Sequence, residues 1–282
     1  MVNVPRRARR SGTPMPPYRA VLAVDAEKFS RTSSRHQQLL NNSIRDALEI
    51  AFRDSGLAGL WENASFPQHT GDGYVVGVDP EHLALLVNPL LGELQEVLAD
   101  MQPVLAYEDR TLSLRLRAAI GVGPLPDSGG EEHGDGVGSA MTETHRILDS
   151  APLRRALKES DPDVTYLVAG LSGRVFDDAV QGGYVGLKPA EFRPADASIP
   201  DKDFQAEVYI YAPRPSSDGP RNSDGDGPAK AEEVGGGTAT RSVGGDGGVG
   251  KADGKGIGSN SGVAVQADSI SGGLNFGDQK GA

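Results

Sequence analysis

"HTGDGYVVGV" occupies residues 69–78, and its reading decides how the rest of the chain is placed. Gly71-Asp72-Gly73 is a hairpin-turn signal, because glycine tolerates positive φ and aspartate is a common turn residue. Tyr74, Val75, Val76 and Val78 after it have the aromatic and β-branched composition of a strand. Residues about 62–70 before it supply the partner strand. Asp72 is then either a plain turn residue or a ligand for a hard cation, depending on what the fold brings beside it.

Upstream, "YRAVLAVDA" (18–26) is a short apolar run and reads as a buried strand. Leu39, Leu40, Ile44, Leu48 and Phe52 then recur with helical spacing. Downstream, Asp79-Pro80 signals a helix start, with Leu83, Leu86, Leu90, Leu94 and Val97 as its buried stripe. Leu112, Leu114, Leu116, Ala118 and Ile120 alternate with Ser113, Arg115 and Arg117, which predicts a half-exposed strand. The order β-α-β-β-α-β is that of a ferredoxin-like core in an α+β fold. A helix around 138–150, a strand around 164–168, a helix around 171–181 and a last strand "FQAEVYIY" (204–211) follow.

This order has a geometric consequence. The first strand ends at Asp25, and a helical crossover makes the second strand run parallel to it. The turn after the second strand then lies at the sheet edge where the first strand ends, so Asp25 and Asp72 are expected as neighbours. Two adjacent carboxylates repel unless a proton or cation lies between them, and hard oxygen ligands favour Mg²⁺ or Mn²⁺. Each residue alone also has an ordinary reading, as a turn residue and a strand-end residue.

Composition sets the wider limits. The 282 residues carry a formal net charge of -11, which argues against a general nucleic-acid binder. There is no cysteine, hence no disulfide or thiolate metal site. No apolar run of about 18 residues occurs, and no apolar segment follows Arg6-Arg7-Ala8-Arg9-Arg10, so the expected compartment is the cytoplasm, with no membrane partner. Residues 1–17 read as a disordered basic arm and 18–213 as the folded domain. Residues 214–259, rich in Gly, Ser and Asp, read as a flexible linker, and 260–282 as a separate short motif.

The ordered motifs of 18–212 resemble the class III nucleotide cyclases, the adenylate/guanylate cyclase catalytic domains. "LAVDAEKFS" resembles the family's first motif and "HTGDGYVV" its hairpin motif, and the resemblance implies that Asp25 and Asp72 hold two Mg²⁺ or Mn²⁺ ions. "LRLRAAIGVGP" resembles the strand after the second helix. "GDGVGSAMTETHRIL" resembles the segment that carries substrate and transition-state residues, with Asp135 at a base-recognition position and Arg146 at the transition-state arginine. The implied reaction is attack of a ribose 3′-hydroxyl on the α-phosphate of a nucleoside triphosphate, giving a 3′,5′-cyclic nucleotide and pyrophosphate. A homodimer is also implied, with metal ligands from one protomer and the arginine from the other.

The chain departs from the family pattern at three places. Lys28 and Phe29 are the substrate-binding candidates of the first motif, with Lys28 standing where the phosphate-binding loop usually has glycine. Gln68 replaces the usual purine-reading lysine, and Thr142 the usual asparagine four positions before the arginine. Adenine is therefore not implied as the base. Arg146 also has the reading of a solvated helix residue and Asp135 that of a loop residue. His69, His133 and His145 share no metal-ligand spacing and read as surface residues, and Trp61 as a packing residue.

"VAVQADSISGGLNF" (263–276) has β-branched residues, a central Gln and no proline, a composition suited to stacked β assembly. It resembles bacterial amyloid signalling motifs of the RIP-homotypic type and implies a partner protein bearing a like motif. Besides an active cyclase in signalling or defence, two further readings stay open: a cyclase-like nucleotide sensor without turnover, and a dimeric adaptor acting through this tail.

Overall fold

The computed structural model describes residues 12–199 and 204–216. The basic stretch 6–10, most of the linker and the tail motif lie outside the described residues. The first strand, β1 (Tyr18–Ala26), is covered on both faces from Ala20 onward, as its unbroken apolar sequence requires. The helix α1 (Ser34–Asp54) follows. Ser33 caps it by accepting from the His36 backbone N–H, and Leu40, Ile44, Leu48 and Phe52 form its buried stripe. A short helix absent from the sequence reading, α2 (Ala58–Glu62), precedes the hairpin β2 (Ser65–His69) and β3 (Gly73–Val78). Trp61 packs between Phe52 and Tyr74, with ring centroids 5.4 and 5.6 Å away.

The expected single helix after Asp79 is broken. A turn at Pro80–His82 leads into α3 (Leu83–Val87), and α4 (Leu90–Glu108) starts beyond Pro89. Asn88 is extended (φ -150, ψ 122), the conformation the ring of a following proline favours. Asp79 makes no cap hydrogen bond and is ion-paired to Arg19 at 2.9 Å instead.

The next strand, β4 (Leu116–Pro124), starts four residues later than its alternation predicts. Asp25 and Ala26 at the end of β1 pair with Arg117 and Leu116, so no strand remains to pair with residues 112–115. The Gln102 side chain serves Leu114 instead, donating to its carbonyl and accepting from its N–H. The expected half-exposure is also corrected. Arg115 is buried, and Arg117 keeps only 12% side-chain exposure.

The remaining elements are α5 (Ser139–Leu148), α6 (Ala151–Lys158), β5 (Leu167–Ser172), α7 (Gly173–Val175) running into a π-turn at Phe176–Gln181, β6 (Arg193–Asp196) and β7 (Glu207–Tyr211). Of these, α6 and β6 were not anticipated from sequence. The sheet order is β2-β3-β1-β4-β5-β7-β6, with β4 and β5 parallel and every other pair antiparallel. Its first four strands have the βαββαβ connection and the order of a ferredoxin-like core, so the fold is α+β as expected. One core lies between the sheet and α1 and α4, and a second lies under α5 and α6. The helix α5 sits so close to β4 that a Cβ on Gly121 would meet Thr144 Oγ1 at 2.2 Å.

Candidate active site at the end of the first strand

Strand register brings Asp25 and the Asp72 turn together. Asp25 is the cross-strand partner of Gly73, and the Ala26 N–H donates to the Asp72 carbonyl at 2.8 Å. The turn is held from a second side, where Asn41 on α1 donates through Nδ2 to the Gly71 carbonyl at 2.6 Å. Gly71 has φ +90, and a Cβ at Gly73 would lie 2.0 Å from the Val24 carbonyl, so the two glycines permit the tight approach.

The two aspartates sit in different surroundings. Asp72 is exposed, whereas Asp25 is 8% exposed. Burial pushes the Asp25 carboxyl up to about 6; the Arg117 hydrogen bonds and charge oppose this, and the charges of Asp72 and Asp149 add to it. Arg117 is the cross-strand partner of Asp25 on β4 and forks onto it, Nε to Oδ1 at 2.8 Å and Nη2 to Oδ2 at 2.6 Å. Next along the chain, Glu27 accepts from Arg115 Nη1 at 3.0 Å. The Arg115 guanidinium also donates to the carbonyls of Thr165 and Leu157 and to Ser160 Oγ. This fixes the chain leaving β1 against α6 and the start of β5.

Lys28 and Phe29 follow at the same edge. Lys28 is exposed, lies 3.6 Å from Glu27 and adopts φ 60, ψ 17, the left-handed conformation that glycine occupies most readily. Phe29 packs against the larger core. Gln68 is exposed on β2, opposite Val75.

The other candidates lie elsewhere in the chain. Thr142 and Arg146 are one helical turn apart on α5. Thr142 bonds back to the Gly138 carbonyl, and the Arg146 guanidinium lies over the Phe204 ring, 5.2 Å from its centroid. Asp135 accepts from Ser128 N–H, Ser128 Oγ and Gly130 N–H, and these bonds hold its carboxyl below the usual range. Its loop is tied to the start of β1, because Asp127 accepts from Arg19 at 2.7 Å and from Ser65 at 2.6 Å. Arg19 and Asp25 are six residues apart on one strand, about 20 Å at ~3.3 Å per residue. The chain thus gathers Asp25, Asp72, Lys28 and Phe29 at one edge and anchors the Asp135 loop at the other.

Among the described residues no group of three or more His, Cys, Asp or Glu stands together as a metal cage. A pair of carboxylates is nonetheless the donor set that Mg²⁺ uses beside substrate phosphates, since that ion keeps several waters. The fork of Arg117 takes one acceptor position on each Asp25 oxygen and leaves others free. The residues therefore fit a hard divalent ion that arrives with phosphate. His145, read as a surface residue, is half-buried, and burial lowers its pKa. No helix among the described residues is long and apolar enough to cross a membrane.

Arg117, Asn41 and the Arg115–Glu27 pair were missed as site residues. Arginines alternating with core leucines were the available signal, but their partners depend on the β1–β4 register.

No protein-family model matches the chain, and no curated protein matches it. Solved structures do. One is the catalytic core of a rhodopsin-guanylyl cyclase with converted specificity, in complex with ATPαS, at 17% identity, 70% of this chain, 96% of that one and TM-score 0.44. A second is an adenylate/guanylate cyclase/hydrolase from Silicibacter pomeroyi, at 19% identity, 69% and 95% coverage and TM-score 0.41. A third is the guanylate cyclase domain of RhGC from Catenaria anguillulae with GTP, at 14% identity, 72% and 100% coverage and TM-score 0.41.

Proposed function

We propose that the chain is a divergent nucleotide cyclase that converts a nucleoside triphosphate to a 3′,5′-cyclic nucleotide and pyrophosphate. The observation that carries this reading is the meeting of Asp25 with the Asp72 turn at one sheet edge, through the Ala26 to Asp72 hydrogen bond and the Asp25–Gly73 register. In the reaction the ribose 3′-oxygen bonds to the α-phosphorus. The bond from that phosphorus to the bridging oxygen breaks, pyrophosphate leaves, and the hydroxyl proton passes to water.

Asp25 and Asp72 would hold Mg²⁺ or Mn²⁺, two ions on the family pattern. Such ions lower the cost of ionising the 3′-hydroxyl and offset charge on the phosphates. Lys28 supplies a mobile positive charge to the phosphates beside that pair, and Phe29 anchors the loop that carries it. Arg146 stabilises charge on the α-phosphate, with Thr142 one turn before it. Gln68 and Asp135 read the base. Arg146 acts on the nucleotide held at the aspartate pair of a second copy, so the working unit is a homodimer.

A second reading has its own observation. The Asp135 oxygens are engaged by their own loop, and Gln68 replaces a lysine, which favours a nucleotide sensor with weak or no turnover. In that reading the tail motif at 260–282 recruits a partner protein with a like motif.

The test mixes the full chain and Mn²⁺ with ATP, GTP, CTP and UTP in turn and measures cyclic nucleotide and pyrophosphate. The cyclase reading expects product from at least one, abolished in both Asp25→Ala and Asp72→Ala. Binding without pyrophosphate release selects the sensor.

A further inference from the structure

Arg117 occupies an unusual place for a cation. It directly faces Asp25 across β1 and β4, and both of its hydrogen bonds to side chains go to the two oxygens of that carboxylate. The pair is nearly shut off from water, with side-chain exposures of 12% and 11%. Asp25 faces Gly73 on its other side, where the Asp72 turn ends. Two carboxylates and one guanidinium therefore carry one net negative charge, half of what the aspartates alone would offer a divalent ion.

The neighbouring cations have other placements. Arg115 is divided among Glu27, two carbonyls and a hydroxyl, and Lys28 is 61% exposed on a flexible stem. Arg117 alone of these three forks onto a proposed ligand. An arginine cannot shed its proton to make room for a metal, so its charge is permanent.

We propose that Arg117 is a built-in counter-cation that weakens the binding of a free divalent ion to Asp25 and Asp72, so that the ion binds well only together with a triphosphate. This rests on the reading of Asp25 and Asp72 as metal ligands. A triphosphate brings several negative charges, which outweigh the guanidinium. A bare ion brings only positive charge and must share Asp25 with it. The device keeps the site from filling with metal before the nucleotide arrives. Arg117 is in these terms a positioning residue that acts through Asp25.

The experiment titrates the full-length protein with Mn²⁺ alone and follows free Mn²⁺ by electron paramagnetic resonance. Removing a unit charge one side chain from the ion should tighten Mn²⁺ binding in Arg117→Gln by about tenfold or more. Arg117→Lys keeps the charge and loses the fork, so its affinity should stay within about threefold of wild type. With a non-reactive triphosphate analogue present, and its own chelation of Mn²⁺ subtracted, the Gln advantage should shrink to about threefold or less, because the guanidinium that repels the bare ion attracts the phosphates that come with it. Unchanged or weaker binding in Arg117→Gln, with Asp25→Ala impaired, overturns the proposal and makes the fork a preorganising contact. If Arg117→Gln does not fold, a change beyond about threefold in Arg117→Lys overturns it instead. Loss of the ligand assignment is seen separately, as Mn²⁺ affinity unaffected by Asp25→Ala.

Discussion

Asp25→Asn should make the metal-free protein more stable at neutral pH while removing its divalent-ion binding. The Asp25 carboxyl is raised from 3.8 to about 6 in the folded chain, with burial the largest cause. A carboxyl whose folded pKa lies above its unfolded value favours the folded state while it is protonated. That contribution is fully present below about pH 4, is lost as pH rises through about 6, and is absent at higher pH. A difference of about two units, at 1.36 kcal/mol each, makes the loss about 3 kcal/mol. Asparagine stands in for the protonated acid at every pH. The variant and wild type should therefore be equally stable near pH 4, and the variant ahead by about 3 kcal/mol near pH 7.5. Urea denaturation of both proteins at several pH values, without metal, measures this, and subtracting the two curves cancels the titrating groups that do not feel Asp25. Adding Mg²⁺ or Mn²⁺ with a triphosphate at pH 7.5 should stabilise wild type alone. A variant less stable than wild type at pH 7.5 would refute the reasoning. It would mean that the Arg117 fork, at 2.8 and 2.6 Å, outweighs the cost of burying the charge.

Two further substitutions probe the supports of the same edge. Arg115→Met leaves Glu27 without its guanidinium and strands acceptors of Thr165, Leu157 and Ser160, so chemical denaturation should show a loss of about 3–5 kcal/mol. Gly73→Ala drives a Cβ to 2.0 Å from the Val24 carbonyl oxygen, a main-chain atom that cannot swing aside. It should cost about 2 kcal/mol or more in the same assay and reduce Mn²⁺ affinity by displacing the Asp72 turn.

The sheet edge was legible because it needs only local signals and one topological rule. An apolar run ending in Asp25, a helical spacing after it and a Gly-Asp-Gly turn fix where the turn returns. What stayed hidden depends on long-range register. Arg117 alternates with leucines and reads as an exposed strand residue, yet both faces of β4 are covered, and only pairing with β1 supplies its acid. Residues 112–115 have strand alternation but no partner strand, so Gln102 takes over the backbone hydrogen bonds of Leu114. The long helix expected after Asp79 fails at Pro89, where the local rule about residues preceding proline outweighs a leucine stripe that runs straight through the break. The short α6 and β6 carry too few residues for a periodic signal.

The positions of the remaining candidates bear on how many chains a site needs. The Asp135 loop is tied to Arg19, about 20 Å along β1 from Asp25. Arg146 has its guanidinium over Phe204. In the proposed homodimer, Arg146 of one copy acts on the triphosphate held at Asp25 and Asp72 of the other. Mixing an Asp25→Ala chain with an Arg146→Ala chain tests this directly, since each alone should be inactive. In a mixed dimer one site carries both substitutions and the other carries neither. Random pairing makes half the dimers mixed, so about one quarter of wild-type product formation should return. Recovery requires exchange of subunits, which co-expression with two different affinity tags provides and co-purification verifies. Verified mixed dimers without any product would place Arg146 and Asp25 in the same chain's site, and the dimer would no longer be needed to explain the chemistry.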